Sequence, residues 1–146
     1  MFESLPDSSR VWIYTANRSL KEIESSVNTE VSSFVSQWAA HGSGLFGEGK
    51  VINEYFLILA VDESRVGASG CSIDSSVKFI KALGEKYEID FFNRLNMVIR
   101  DNSENKLVHF SELKNYHEAD LYDPMVTDLG SLRTNWLKPI IKTSYV

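Results

Sequence analysis

Apolar residues recur every three or four positions in two long segments of the chain, which is the spacing of amphipathic helices. The first stripe contains Leu20, Ile23, Val27, Val31, Phe34 and Trp38. Ser19 and Glu22 open it at the spacing of a capping box, and glycines follow it after His41. The second stripe contains Ile73, Val77, Ile80, Leu83 or Gly84, and Tyr87. The pattern predicts a long first helix that ends near His41, and a second helix that begins near Ser72 or Asp74.

Shorter runs of β-branched and apolar residues predict strands. The segment RVWIYTAN (10–17) is the first of them. The run 51–62 is interrupted at Asn53-Glu54, either by a hairpin turn or by a bulge. Its second part, 56–61, is apolar at every position, which predicts a central strand buried on both faces. Two further strands, NMVIR and KLVHF, flank the polar turn DNSEN and predict a hairpin.

The last third of the chain carries weaker signals. SELKNYH reads as a short helix capped by Ser111, PMVT as an edge strand, and SLRTNWL as a short helix stopped by Pro139. The resulting order, β-α-(ββ)-α-β-β-α, predicts a single α+β domain over 1–146, built as a two-layer sandwich. We expect a ferredoxin-like βαββαβ core with C-terminal additions, and another mixed-sheet α+β fold is the alternative.

Composition excludes several classes of function. The chain has 146 residues, 43% of them hydrophobic, a net charge of −5, three histidines and one cysteine. It has no basic cluster, so no nucleic-acid partner is expected. No apolar run is long enough to span a membrane, and the N-terminal residues do not resemble a secretory signal, so we expect a cytoplasmic protein. No pair of histidines has the spacing of metal ligands, and neither a metal nor another cofactor is expected.

One segment imitates a nucleotide-binding motif. GLFGEGKV (44–51) matches G-x-x-x-x-G-K, but Val51 stands where a P-loop needs Ser or Thr for Mg²⁺. A P-loop also follows a buried strand and opens a helix, so that backbone amides meet phosphate. Here the glycines follow a predicted helix and precede a predicted strand. The sequence therefore favours a flexible glycine-rich loop, and ATP hydrolysis is not expected.

Four segments together resemble one family. QWAAHG, FLILAVDE, GASGCSIDSSVKFIK and RLNMVIRD are similar to a family of short, largely uncharacterised bacterial proteins that share an ASGCSIDSSV motif. Members of this family are sometimes labelled "ABC transporter ATPase" automatically. The similarity spans about 11–101 and, more loosely, the region of Trp136 and Pro139. It implies no established activity, and the predicted order of elements contradicts the ATPase label.

The segment GASGCSID (67–74) is the strongest candidate site in the sequence. It joins the apolar strand to the second helix, and a helix N-terminus attracts anions through its free amides and its dipole. Gly70, Ser72 and Asp74 are the candidate ligand-binding residues. We therefore expect a binding or accessory module with a small polar or anionic ligand at this loop.

Two alternatives remain open from the sequence. Cys71 is a candidate nucleophile, with His41 as its base and Asp62 as the partner that orients the base, in acyl transfer or hydrolysis. Against this, Asp74 competes for the same dipole, and cysteine is more often a small buried residue of a tight loop. The other alternative is a homodimeric interaction protein that associates through a sheet edge or a helix face.

Overall fold

The chain forms nine strands and three α-helices, and the computed structural model describes residues 1–146. The strands are β1 (Arg10–Thr15), β2 (Ala39–Ala40), β3 (Ser43–Gly44), β4 (Gly47–Ile52), β5 (Phe56–Val61), β6 (Asn96–Asp101), β7 (Glu104–His109), β8 (Asp120–Tyr122) and β9 (Leu137–Pro139). The helices are α1 (Glu24–Gln37), α2 (Gly70–Tyr87) and α3 (Leu129–Asn135), with 3₁₀ turns at Lys21–Ile23, Phe110–Asn115 and Ile140–Lys142. The predicted α+β class is confirmed.

A three-stranded antiparallel sheet in the order β1-β5-β4 forms the centre of the molecule. The apolar run of β5 is buried at all six positions, as the sequence predicts for a central strand. The turn at Asn53 and Glu54, both with positive φ, connects β4 to β5, so the interruption in the run 51–62 is a hairpin turn. The same geometry recurs at Asn102-Ser103, which confirms the predicted β6–β7 hairpin.

Both faces of this sheet are covered. Leu57, Leu59 and Val61 of β5 pack with apolar residues of α1 and α2 in one core. Phe56, Ile58 and Ala60 point to the opposite face and pack with the N-terminal residues, β6 and α3 in a second core. A two-layer sandwich leaves one face of its sheet to solvent, so that part of the expectation is wrong. The C-terminal third supplies the additional layer.

The strand that would complete a ferredoxin-like sheet lies elsewhere. β6 belongs to a second antiparallel sheet in the order β7-β6-β8-β9, where it pairs with β7 along its whole length and with β8 at two positions. That sheet has its own small core around Ile99, Leu113 and Leu121. The four strands of a βαββαβ unit therefore do not hydrogen-bond into one sheet.

The first helix ends earlier than predicted, and His41 does not lie at its end. Gln37 is its last residue and Trp38 is already extended. The chain then forms a two-strand ribbon, β2–β3, whose turn residues His41 and Gly42 both have positive φ, as tight hairpin turns require. Ser19 accepts a hydrogen bond from the Lys21 amide (3.2 Å) rather than forming a capping box.

The glycine-rich segment is largely strand rather than a flexible loop. Gly47 and Gly49 lie in β4, opposite Val61 and Leu59 of β5. A Cβ atom on Gly49 would lie 2.7 Å from Val31 of α1, so the missing side chain permits the close approach of helix and strand. The P-loop-like motif thus ends in a strand and not in a helix. None of the helices is long and apolar enough to cross a lipid bilayer.

The C-terminal third differs from its predicted elements in three places. Phe110–Asn115 is a 3₁₀ turn in which His109 Nδ1, rather than Ser111, accepts the capping hydrogen bond. The predicted helix SLRTNWL stops at Asn135, because Leu137 enters β9. The predicted edge strand PMVT (124–127) does not form, and only a single bridge between Asp128 and Arg10 follows that segment.

Gly84 offers a test of the packing at the end of α2. Glu88 adopts the left-handed conformation, which folds Ile89 back so that a Cβ on Gly84 would lie 2.5 Å from the Ile89 carbonyl oxygen. Gly84→Ala should lower the free energy of unfolding by about 1–3 kcal/mol, although alanine is the better helix former.

Gly70→Ala is the matched control for urea unfolding, because nothing lies within 4 Å of its Cβ position. It should change the free energy of unfolding by less than about 1 kcal/mol. Equal stability of the two variants would contradict the proposed close approach at Gly84.

Candidate functional site

The 67–74 loop forms a capped helix start. Ser69 is the N-cap of α2, and its Oγ accepts a hydrogen bond from the Ser72 amide (3.1 Å). Ser72 Oγ accepts in return from the Ser69 amide (2.7 Å), which completes a capping box. The Glu63 carboxylate accepts from the Ala68 amide (2.9 Å). Of the residues predicted to bind a ligand, Ser72 is therefore occupied by the cap, and the side chain of Asp74 is exposed.

Ser72 is also tied to the core. It is 2% exposed, and its carbonyl oxygen accepts a hydrogen bond from Trp38 Nε1 (2.8 Å). Gly70, the first helical residue, is exposed and has open space above it. The start of α2 is thus fixed by contacts within the protein, and its candidate ligand residues do not line either of the two main cavities.

Cys71 is exposed, which differs from the buried cysteine that the sequence favoured. It occupies the second position of α2, where the side chain points away from the core while its neighbour Ser72 points inward. Its carbonyl oxygen accepts a hydrogen bond from Ser75 Oγ (3.0 Å). No hydrogen bond joins the thiol to another side chain.

The three residues of the proposed catalytic set do not form a hydrogen-bonded array. His41 lies exposed at the turn of the β2–β3 ribbon. Asp62 follows β5, is 8% exposed, and accepts hydrogen bonds from Ser64 Oγ (2.6 Å) and the Ser64 amide (3.0 Å). Neither residue hydrogen-bonds to Cys71. A role for the set in catalysis stays a prediction from the sequence.

Asp62 has a structural partner that fixes its charge. The hydroxyl of Ser64, followed by its amide, lowers the pKa of the Asp62 carboxyl, and Arg65 adds a smaller contribution at 3.8 Å. The carboxylate is therefore anionic at neutral pH. It shapes the turn between β5 and the loop.

A large apolar depression lies along β1. We call it the β1 groove: it has a volume of about 610 Å³ and is lined by β1 together with 91–97, 124–127, Phe110 and Tyr145. Twelve of its eighteen lining residues are hydrophobic. Four of them are large apolar side chains that remain 40–73% exposed, namely Phe92, Leu95, Phe110 and Met125. An exposed apolar surface of this kind is typical of a binding site.

The floor of the groove is an open strand edge. Ala16 donates a backbone hydrogen bond to Tyr55 (2.8 Å), in line with the β1–β5 register. Because backbone groups alternate between the two sides of a strand, Val11, Ile13 and Thr15 direct their N–H and C=O groups away from β5. Only the Val11 amide on that side has a backbone partner, the carbonyl of Thr127 (2.9 Å).

Arg94 is the only charged residue that lines the β1 groove. It forms no ion pair in the structure, whereas the nearby Asp123 is paired with Lys138. Burial raises the pKa of the Tyr14 phenol, and burial together with Asp123 raises that of Tyr145. Both hydroxyls are consequently protonated at neutral pH, and no carboxylate lines the groove.

Sequence reasoning did not find this groove. Its walls come largely from segments that lie between regular elements, such as FFNRL (91–95) and PMVT (124–127). Large apolar residues in connecting segments, which are usually polar, were the available signal. Elsewhere, no group of three or more His, Cys, Asp or Glu side chains is arranged to hold a metal ion.

Comparisons with known proteins give no relative: no family model, no curated protein and no solved structure matches this chain. The resemblance to the short bacterial family rests on the quoted segments alone.

The Asp62–Ser64 contact predicts a measurable titration. Ser64→Ala removes the hydroxyl that contributes most to lowering the pKa, so the Asp62 pKa should rise toward its ordinary value in a carboxyl ¹³C NMR titration. A depressed folded-state pKa stabilises the fold above the unfolded-state value, and that contribution disappears as the pH falls through the folded-state pKa. Ser64→Ala should therefore destabilise the protein at pH 7 more than at pH 2.

Ser75→Ala is the control for this titration, because the Ser75 hydroxyl contacts the Cys71 carbonyl and not Asp62. An unchanged Asp62 pKa in Ser64→Ala would refute the assignment.

The exposure of Cys71 predicts that native protein reacts with one equivalent of a thiol reagent at pH 7. Cys71→Ser should not react. Reaction only after unfolding in urea would show that the thiol is inaccessible, and would remove the nucleophile hypothesis as well.

Proposed function

We propose that this protein is a cytoplasmic binding module whose ligand occupies the β1 groove. The observation that carries the proposal is the coincidence of three features at one place: exposed apolar walls, an open strand edge and one unpaired arginine. A ligand that fits these features is amphipathic and carries an anionic group. The binding role predicted from the sequence is kept, but its proposed site moves from the 67–74 loop to the β1 groove.

The chemistry of the groove supports an anionic group on the ligand. Arg94 has no carboxylate partner, in a chain that contains 20 acidic residues. An unpaired guanidinium beside an apolar surface binds a carboxylate or sulfonate with charge-assisted hydrogen bonds. The neutral phenols of Tyr14 and Tyr145 do not repel an anion.

The predicted ferredoxin-like core gives the groove a place in the fold. Such a core places its fourth strand beside β1, and here β6 belongs to the other sheet, so the groove lies at the position of the missing neighbour. We propose that β1, α1, β4, β5, α2 and β6 form a ferredoxin-like unit in which β6 is displaced into the other sheet. The membership of the bacterial family remains part of the proposal, and it adds no activity.

Three hypotheses drawn from the sequence remain as alternatives to this proposal. The ligand site at the 67–74 loop is less favoured, because the amides of Ala68, Ser69 and Ser72 already donate to Glu63, Ser72 and Ser69. The thiol-dependent enzyme has one supporting observation, the exposed Cys71. The homodimer would use the β1 edge and is tested by light scattering.

Binding of 8-anilinonaphthalene-1-sulfonate, an apolar anion, tests the proposed site. We expect saturable fluorescence enhancement and a change in emission from Trp12, which lines the groove. Leu95→Gln and Arg94→Gln should each weaken the affinity about tenfold, since each removes a main contact of the apolar or the anionic part.

Ile141→Gln is the matched control, because Ile141 is an exposed apolar residue (62%) outside the groove. All variants must unfold at the same urea concentration as the original chain, since partly unfolded proteins also bind this dye. Equal affinity in Leu95→Gln, Arg94→Gln and Ile141→Gln would overturn the proposed function.

A further inference from the structure

The groove side of β1 is partly covered by the chain itself. The Val11 amide donates to Thr127 (2.9 Å), and the Leu129 amide donates to Ser9 (2.8 Å), around an antiparallel bridge between Arg10 and Asp128. These contacts are those of a strand added to a sheet edge. The edge therefore accepts an extended segment with normal geometry.

The covering segment leaves β1 before it reaches the middle of the strand. The Met125 amide donates to Asp123 Oδ1 (2.9 Å), and the Asp123 amide donates to Trp136 (2.8 Å), so the chain turns toward β9. The outward backbone groups of Ile13 and Thr15 then lie along the groove without a neighbouring strand. They provide two donors and two acceptors at the two-residue spacing of an extended chain.

These backbone groups restrict what fills the groove. A ligand made only of hydrocarbon would exclude water from the amides and carbonyls of Ile13 and Thr15 without replacing their hydrogen bonds. Each such unpaired group opposes binding. An extended peptide pairs with all four groups and places alternate side chains toward the walls.

The two ends of the groove differ, which adds a charge preference. Phe92 packs edge-on against Tyr14 (centroids 5.6 Å apart), so the segment that carries Arg94 lies toward the carboxyl end of β1. Thr127 and Val126 lie at the other end, beside Val11. Arg94 is exposed at the rim and suits an acidic side chain of a peptide.

We propose that the ligand of the β1 groove is an extended segment of a partner protein that adds a strand to the open edge at Ile13 and Thr15. Its alternate apolar side chains contact Phe92, Leu95, Phe110 and Met125, and an Asp or Glu side chain pairs with Arg94. This inference rests on the proposed function of the groove, and it specifies the class of ligand.

The test uses the full chain and a display library of random nine-residue peptides. Enriched peptides should share alternating apolar residues and one acidic residue. A synthetic copy of the strongest binder is then N-methylated at one amide at a time. Methylation of alternate amides should lower the affinity about tenfold or more, because each removes a backbone hydrogen bond, while the amides between them tolerate it.

A backbone variant tests the same contact from the side of the protein. Thr15→Pro removes the outward amide of Thr15, which β5 does not use. Thr15→Val loses the same hydroxyl but keeps the amide, so the difference between the two variants isolates the backbone donor. Thr15→Pro should bind the peptide about tenfold more weakly than Thr15→Val at equal thermal stability.

The outcomes separate this inference from the proposed function. If no peptide is enriched, or if binders are indifferent to N-methylation and to Thr15→Pro, the peptide inference is overturned. Anilinonaphthalene sulfonate binding that still depends on Leu95 and Arg94 would then leave the groove standing as a site for another ligand. A dimer in light scattering that Thr15→Pro dissociates would replace the partner peptide with a second copy of this chain.

Discussion

The burial of β5 on both faces is the constraint on which the rest of the structure depends. Six consecutive apolar side chains alternate between two cores, and their backbone groups require a strand on each side. β1 and β4 supply those strands, α1 and α2 cover one face, and the N-terminal residues with α3 cover the other. The other elements are placed so that they exclude water from both faces of β5.

A central strand with two neighbours produces two sheet edges, and different segments of the chain contact them. At the β4 edge, the Val51 amide donates to the Asn28 side chain of α1 (2.8 Å), so a helix residue satisfies one outward amide of that strand. At the β1 edge, the segment around Asp128 covers the first residues only. Proteins usually protect an open edge against association. An uncovered edge inside an apolar groove is consistent with a surface kept for a partner.

Local signals were enough to predict the elements whose structure is decided by their own residues. The stripe from Leu20 to Phe34 gave helix α1, and the alternation around Asn102-Ser103 gave a hairpin. The continuous apolar run identified β5 because a strand with both faces buried carries such a run, and six residues are too few for a buried helix. In each case the spacing of apolar residues in the sequence matches the period of the element. The prediction therefore does not depend on which segment packs against it.

The remaining features depend on partners distant in the sequence. Nothing in NMVIR specifies that it pairs with Asp120–Tyr122 rather than with β1, and this choice opens the groove. Trp38 leaves the helical stripe because its indole binds the Ser72 carbonyl, a contact between residues 34 positions apart. The groove itself combines β1 with segments from the last two-thirds of the chain, so no local pattern contains it.

The loop that carries Cys71 and the edge of β1 differ in how their polar groups are satisfied. At the start of α2, Ser69, Ser72 and Glu63 already accept hydrogen bonds from the amides of Ser72, Ser69 and Ala68, so a ligand that used these amides would have to displace contacts within the protein. At Ile13 and Thr15, the outward backbone groups have no protein partner. A ligand gains more where it adds hydrogen bonds than where it exchanges them, provided that apolar contacts accompany the pairing. Phe92 and Leu95 provide those contacts beside β1, which makes the groove the stronger candidate even though the cysteine segment is more conspicuous in the sequence.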